Sequence, residues 1–85
     1  MVYHVEILPA ALKEYRSVPH TDREAVKEAI LRLEQEPRGP QVKKLKDREY
    51  YRLRAGDWRV IFAISDARKL LTIIAVERKS DTTYS

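Results

Sequence analysis

Residues 50–62 read YYRLRAGDWRVIF, the pattern of two β-strands joined by a tight turn. Three arginines, Arg52, Arg54 and Arg59, alternate with apolar residues in these strands. If Gly56-Asp57 forms a two-residue loop, Arg54 lies opposite Arg59, whereas an Ala55-Gly56 loop would bring Arg52 opposite Arg59. Either register puts all three arginines on one face, where like charges cost up to about 1 kcal/mol per pair. The hairpin therefore predicts a surface that binds an anion.

A second hairpin is expected to extend this face. A turn over residues 65–68 returns the chain as a strand over residues 70–76. With an even-length loop Ala63 pairs with Leu70, which puts on the arginine side Thr72, Ile74, Val76 and then Arg78. Arg78 is therefore predicted to join the other three arginines, and a loop of odd length would reverse this parity.

The first forty residues predict one strand and two helices. Residues 3–7 alternate between apolar and polar side chains, as in a strand. Pro9 fits the first turn of a helix, and Thr21 with Glu24 has the form of a capping box that opens a second helix. Together with a following meander of three antiparallel strands, these elements predict a single α+β domain over residues 1–85. The helical hairpin should cover one face of the sheet and leave the other free to bind.

Charge is unevenly distributed along the chain, whose formal net charge is +4. Residues 1–42 carry six Lys/Arg against seven Asp/Glu, whereas residues 43–85 carry eleven against six. A basic half of this kind favours binding to nucleic acid, to an acidic protein or to both. Lys43, Lys44, Lys46 and Arg48 fit ordinary solvated loop charges as well as they fit a binding role.

Composition excludes several classes of protein. There is no cysteine, so a disulfide framework and a thiolate zinc site are ruled out. Gly39 and Gly56 are the only glycines and do not form a phosphate-binding loop, while His4 and His20 fit ordinary surface or strand residues. No segment resembles a signal peptide or reaches the roughly 20 apolar residues of a membrane span. A cytoplasmic protein without membrane contact, metal or cofactor is predicted.

Metal-free RNA cleavage is a reaction that an arginine surface can support. RNA breaks when its own 2′-OH attacks the adjacent phosphorus, so an enzyme needs to orient that hydroxyl, stabilise the phosphorane charge and protonate the leaving oxygen. Arginine suits charge stabilisation, but its pKa above about 12 makes it poor at proton transfer. Lys79, Tyr84 or one of Tyr50 and Tyr51 is expected to help there. The aromatic residues Tyr50, Tyr51 and Trp58 fit either base stacking or core packing.

Three segments together resemble the RelE/ParE superfamily of type II toxins, closer to the RelE branch. They are residues 51–62, the later VERKSD of residues 76–81, and the opening strand followed by ALKEY at residues 11–15. The resemblance covers nearly the whole chain. It implies a small α+β toxin neutralised by a RelB-like antitoxin that wraps around it. It also implies entry into the ribosomal A site and cleavage of translated mRNA by 2′-OH attack, without a metal.

The resemblance also implies a set of catalytic residues. Arg52 and Arg54 stand where well-known active members have lysines, and Arg59 matches the arginine after the hairpin's aromatic residue. Arg78 or Lys79 falls on the basic position after the last strand, Tyr84 lies near the C-terminal tyrosine, and Glu77 stands where glycine is usual. Two alternatives stay open: a ParE-like inhibitor of DNA gyrase without nuclease activity, and a module that only binds RNA and its antitoxin.

Overall fold

The structure is a computed structural model that describes residues 2–46 and 49–78. The elements are β1 (His4–Ile7), α1 (Pro9–Arg16), α2 (His20–Leu33), β2 (Val42–Lys44), β3 (Tyr51–Ala55), β4 (Trp58–Ser65) and β5 (Leu70–Arg78). The predicted α+β class is confirmed. The meander has one more strand than expected, β2. It was not predicted because it is only three residues long and two of them are lysines, a composition that does not indicate a strand.

All the strands form one sheet in the order β1-β5-β4-β3-β2. Strand β1 runs parallel to β5, with His4 paired to Leu70, and the other neighbours are antiparallel. Parallel neighbours need a long crossover connection, and here α1, α2 and three strands separate the two partners. The first strand therefore lies beside the last.

The two helices begin at prolines, in different ways. Pro9 occupies the first turn of α1, as predicted, where its missing N–H costs nothing. Pro19 is the N-cap of α2, and no side chain caps that helix. The predicted capping box of Thr21 and Glu24 is wrong, because α2 begins at His20 and Thr21 already lies inside its first turn. Neither helix of the described chain has the length and apolar character that crossing a membrane requires.

The core lies between the helices and one face of the sheet, so the predicted one-sided packing is confirmed. The helices contribute Ala11, Val26, Ala29, Ile30 and Leu33, the connection between them contributes Val18, and the strands contribute Leu53, Ala55, Val60, Phe62, Leu71, Ile73 and Val76. Phe62 is fully buried and stacks on Tyr51, with ring centroids 5.8 Å apart. Since side chains alternate along a strand, the residues between these core positions point to the face without helices. We call this the open face.

A β-bulge in β5 changes which residues reach the open face. Phe62 pairs with Ile73 but Ile61 pairs with Ala75, so Ile74 is an extra residue on β5. Before the bulge Thr72 lies on the open face, as predicted. The predicted pairing of Ala63 with Leu70 is wrong, because Ala63 pairs with Thr72 and Leu70 pairs with Ser65.

Beyond the bulge the parity is reversed. Glu77 pairs with Arg59 and reaches the open face, whereas Arg78 pairs with Trp58 on the helix side. The prediction that Ile74, Val76 and Arg78 continue the arginine face is therefore wrong, because it assumed one unbroken register. The backbone N–H of Val76 donates a 2.8 Å hydrogen bond to Oε1 of Glu14, which ties this stretch of β5 to α1.

Candidate nucleic-acid interface

The turn between β3 and β4 determines how the arginines meet. Ala55 pairs with Trp58 and Arg54 with Arg59, so Gly56-Asp57 is the loop, the first of the two registers considered. Gly56 has a φ of 63°, in the left-handed region that the first central residue of a type II′ hairpin turn requires. Glycine adopts this conformation without steric cost, and the tight turn holds the two strands in register.

Arg54 and Arg59 form the closer of the two kinds of antiparallel pair. The N–H of Arg54 donates to the carbonyl oxygen of Gln41 at 3.1 Å, on the side away from β4. The two arginines therefore do not exchange backbone hydrogen bonds, and such pairs have Cα atoms about 4.5 Å apart. Arg52 lies on the same face, directly opposite Lys43 of β2. We call Lys43, Arg52, Arg54 and Arg59 the arginine surface.

The arginine surface has cations without anionic partners. Among the described residues, no ion pair joins any of its members to a carboxylate. The Nε atoms of Arg52 and Arg59 are shielded from solvent and have no hydrogen-bond partner within that same part of the chain. A buried donor without a partner costs about 1–3 kcal/mol. A phosphate, whose oxygens accept bidentate hydrogen bonds from guanidinium groups, would supply what the surface lacks.

A cleft opens on three members of the arginine surface, Lys43, Arg52 and Arg54. Its volume is about 160 Å³, and it is lined by Pro40, Gln41, Lys43, Arg52 and Arg54. A wider depression of about 570 Å³ lies beside Arg38, but the arginine and the tyrosine that line it already bind a carboxylate. We therefore place the candidate interface at the cleft, where the cations have no such partner.

Arg78 is the described site residue that does not join this surface. The guanidinium carbon of Arg78 lies 5.9 Å from the ring centroid of Trp58, on the helix side of the sheet. Trp58 itself donates from Nε1 to Asp22 at 3.0 Å, so it fixes α2 to the sheet. Trp58 and Tyr51 thus pack on the helix side, the second of the two roles considered for them. Lys79 and Tyr84 lie outside the described residues.

Glu77 lies beside the arginine surface, a position that the sequence did not predict. It pairs with Arg59, so one row across three strands reads Arg54, Arg59, Glu77. Its side chain is exposed. The bulge that brings Glu77 there has no local sequence signal, since β5 contains neither glycine nor proline.

A second group of charged residues lies at the opposite end of β4. Arg38 donates from both terminal nitrogens to the carboxylate oxygens of Asp66, each at 3.1 Å, and the hydroxyl of Tyr3 donates to Asp66 at 2.7 Å. The guanidinium of Arg38 also lies 5.4 Å from the ring centroid of Tyr51. We call Arg38, Asp66, Tyr3 and Tyr51 the Arg38 cluster.

The hydrogen bonds of the Arg38 cluster shift the protonation equilibria of its members. Donation from Arg38, and then from Tyr3, holds the pKa of the Asp66 carboxyl below its usual value. The hydrogen bond to Asp66 raises the pKa of the Tyr3 hydroxyl, with a smaller contribution from burial. The same carboxylate raises the pKa of Arg38. Each charge in this cluster is matched, so it serves to hold the turn between β4 and β5 against the segment after α2.

Comparison with known proteins gives a consistent family. Residues 5–82 match the family described as the ParE toxin of the type II toxin-antitoxin system parDE. No curated protein matches the sequence.

Several of the solved structures that resemble the chain are toxin-antitoxin complexes. The archaeal RelE-RelB complex from Pyrococcus horikoshii has a chain 29% identical, with a TM-score of 0.82, covering 96% of this chain and 100% of its own. The RelBE2 complex from Mycobacterium tuberculosis gives 25% identity and a TM-score of 0.82, over 92% and 99% of the two chains. The intact RelBE complex from Escherichia coli gives 26% identity and a TM-score of 0.78, over 92% and 98%.

Proposed function

The chain belongs to the ParE toxin family of type II toxin-antitoxin systems, within the RelE/ParE superfamily, and we propose that it is a ribosome-dependent endoribonuclease. It would cleave translated mRNA in the ribosomal A site, in the cytoplasm. The observation that supports this proposal is the arginine surface, whose cations meet without anionic partners in the described structure.

Phosphate binding is the role we propose for the arginine surface. Arg54 and Arg59 project from facing positions and can grip two oxygens of one phosphodiester, while Arg52 and Lys43 extend the contact along the strand. Charge that builds up on the phosphorane during 2′-OH attack would be stabilised there more strongly than the charge of the starting phosphodiester. Such differential stabilisation accelerates the reaction. The product ends would be a 2′,3′-cyclic phosphate and a 5′-hydroxyl.

The test is to map breaks in a translated message. Purified protein is added to ribosomes programmed with one mRNA, and 5′-hydroxyl ends are mapped beside a reaction on the same mRNA with its start codon removed. We expect breaks inside the reading frame that need translation and that disappear in Arg54→Ala/Arg59→Ala. An intact message, or breaks that are equally frequent without translation, would contradict the proposal.

Inhibition of DNA gyrase is the second candidate. It is favoured by the name of the matching family, and by the position of Arg78 on the helix side, which leaves the arginine surface one cation short of the implied catalytic set. A supercoiling assay with purified gyrase separates the two candidates. Inhibition of supercoiling by both the wild type and the double arginine variant, with the message left intact, would favour gyrase as the target.

A cognate antitoxin is the partner that we propose for the chain. The structural relatives named above were solved as complexes with antitoxins. The chain also has exposed apolar side chains that a partner would cover, among them Ile7, Leu8 and Leu31. Co-expression with the neighbouring small acidic reading frame should yield a stable complex and restore growth. Failure of every neighbouring product to bind would contradict this assignment.

A further inference from the structure

Glu77 completes a row of charged residues at the end of the open face. Arg54 of β3 pairs with Arg59 of β4, and Arg59 pairs in turn with Glu77 of β5. Directly opposite side chains on one face of a sheet have Cβ atoms about 4.5–5.5 Å apart. A phosphate held between the two arginines would therefore have a carboxylate within reach, on the β5 side.

The arginine surface by itself lacks a group that can remove a proton. An arginine side chain stays protonated in proteins and has no acceptor, so it can stabilise charge but cannot serve as a base. An ionised carboxylate accepts protons and hydrogen bonds only. Glu77 is exposed, and no ion pair links it to Arg59 within the described residues, so its oxygens are available to a ligand.

We propose that Glu77 is the general base that takes the proton from the attacking 2′-OH. This inference rests on the proposed nuclease function and deepens it. The proton moves from the 2′-hydroxyl to the carboxylate as the bond from the 2′ oxygen to phosphorus forms. The bond from phosphorus to the 5′ oxygen breaks, and that oxygen takes a proton from water. Glu77 then returns its proton to the hydroxide that remains, so the reaction consumes no net proton.

The charged groups around Glu77 are defined on both faces of β5. Arg59 faces it from β4, and Arg54 follows one strand further. Arg78 is next in sequence but lies on the other face, over Trp58. Glu14 of α1 also approaches β5 from the helix side, where it accepts from the backbone of Val76. The nearest described charge on Glu77's own face is thus a cation that would also bind the phosphate.

The test compares cleavage with binding in Glu77→Gln. Removing a general base lowers the rate by about 100-fold or more, whereas removing a negative charge beside the arginines should leave RNA binding unchanged or tighter. Single-turnover cleavage on programmed ribosomes and binding to a short single-stranded RNA are measured on the same samples. Glu77→Asp should recover part of the rate. Glu6→Gln is the matched control, since Glu6 is also exposed and pairs with Thr72 on the open face, about 13 Å along the sheet from Glu77.

The pH dependence gives a readout that a purely structural role would not change. Between pH 6 and pH 8 the wild-type rate should be nearly independent of pH, because Glu77 rather than hydroxide accepts the proton of the 2′-hydroxyl. The rate of Glu77→Gln should instead rise about tenfold per pH unit as hydroxide takes over. Equal rates and equal profiles in the two proteins would overturn the assignment while leaving the nuclease function intact. A parallel loss of binding and cleavage would overturn it in favour of a positioning role. A wild type that leaves the message intact would overturn both.

Discussion

The arginine surface and the Arg38 cluster lie at opposite ends of β4, and they differ in whether their arginine side chains have partners. Arg38 has a bidentate carboxylate partner and an aromatic ring beneath it. Arg52 and Arg59 have buried Nε atoms without partners in the described chain, and Arg54 faces another cation. A matched arginine fixes a loop, whereas unmatched arginines reduce stability unless a ligand binds them. The difference distinguishes a group that holds the fold together from the group that we propose binds phosphate.

The largest expected effect is on the cleavage rate, when Arg59 of the arginine surface is removed. Arg59→Leu should lower the cleavage rate by about 100-fold to 1,000-fold, the range seen when a donor to a transition-state oxyanion is lost. Its unfolding free energy should stay the same or rise by up to about 1 kcal/mol, because a like-charge pair is relieved. Single-turnover cleavage and urea unfolding measure the two quantities.

Arg38→Leu is the control for that variant. It should change cleavage by less than about twofold, and it should lower stability only slightly, as exposed ion pairs contribute about 0–1 kcal/mol. Equal losses of cleavage in the two variants would remove the distinction between the regions.

The next effect tests backbone geometry without changing charge. Gly56→Ala should lower the unfolding free energy by about 1–2 kcal/mol, because alanine is strained at a positive φ although no atom lies within 4 Å of the added methyl group. Gly39→Ala, beside the Arg38 cluster, has no positive φ, and its added methyl meets the Glu36 carbonyl oxygen at 3.4 Å. Thermal and urea unfolding of both variants should show a clearly smaller loss for Gly39→Ala.

A smaller effect is expected in the salt dependence of RNA binding. Each phosphate neutralised on a single strand contributes about −0.7 to the slope of log K against log salt. Arg54→Gln should lose one such contribution, so its difference from the wild type should shrink about threefold between 50 and 200 mM salt. Fluorescence anisotropy with a short RNA measures the slopes. Arg38→Gln should keep the wild-type slope, and an equal change in both variants would mean that RNA contacts both regions.

The smallest effect concerns the acid stability of the Arg38 cluster. The folded pKa of Asp66 lies below its unfolded value of about 3.8, so its ionised form stabilises the fold above that pH. This contribution is lost as pH falls through the lowered folded pKa. Asp66→Asn should therefore be less stable than the wild type at pH 6, and the two should converge below about pH 3. Urea midpoints across that range test the convergence. Asp57→Asn, in the turn beside the arginine surface, is the matched control.

Local features of the sequence were sufficient to predict much of the fold. The Gly56-Asp57 turn and the alternation around it predicted that Arg52, Arg54 and Arg59 share one face, since both depend on adjacent residues. Pro9 predicted the start of α1 for the same reason. The predicted capping box at Thr21 was wrong because Pro19 is the N-cap and α2 begins at His20, one residue before Thr21.

The remaining features depend on contacts between distant residues. Close to the bulge at Ile74, the backbone N–H of Val76 donates a hydrogen bond to Glu14, which lies 62 residues earlier in the chain. The spacing of residues in β5 does not indicate the bulge. Arg38 and Asp66 are separated by 28 residues, so neither local pattern indicates their pairing. The position of Glu77 and the exclusion of Arg78 follow from the bulge, and were therefore beyond prediction from periodicity. The roles of Lys79 and Tyr84 stay predictions.

The parallel pairing of β1 with β5 has a consequence for synthesis of the chain. His4 pairs with Leu70, and the long stretch of chain between them makes this pairing costly in loop-closure entropy and slow to form. During translation β5, which joins β1 to the rest of the sheet, leaves the ribosomal exit tunnel after the other described strands. We therefore expect β1 to stay unpaired until β5 emerges, and a chain that stops before Leu70 to lack the sheet edge that β1 needs.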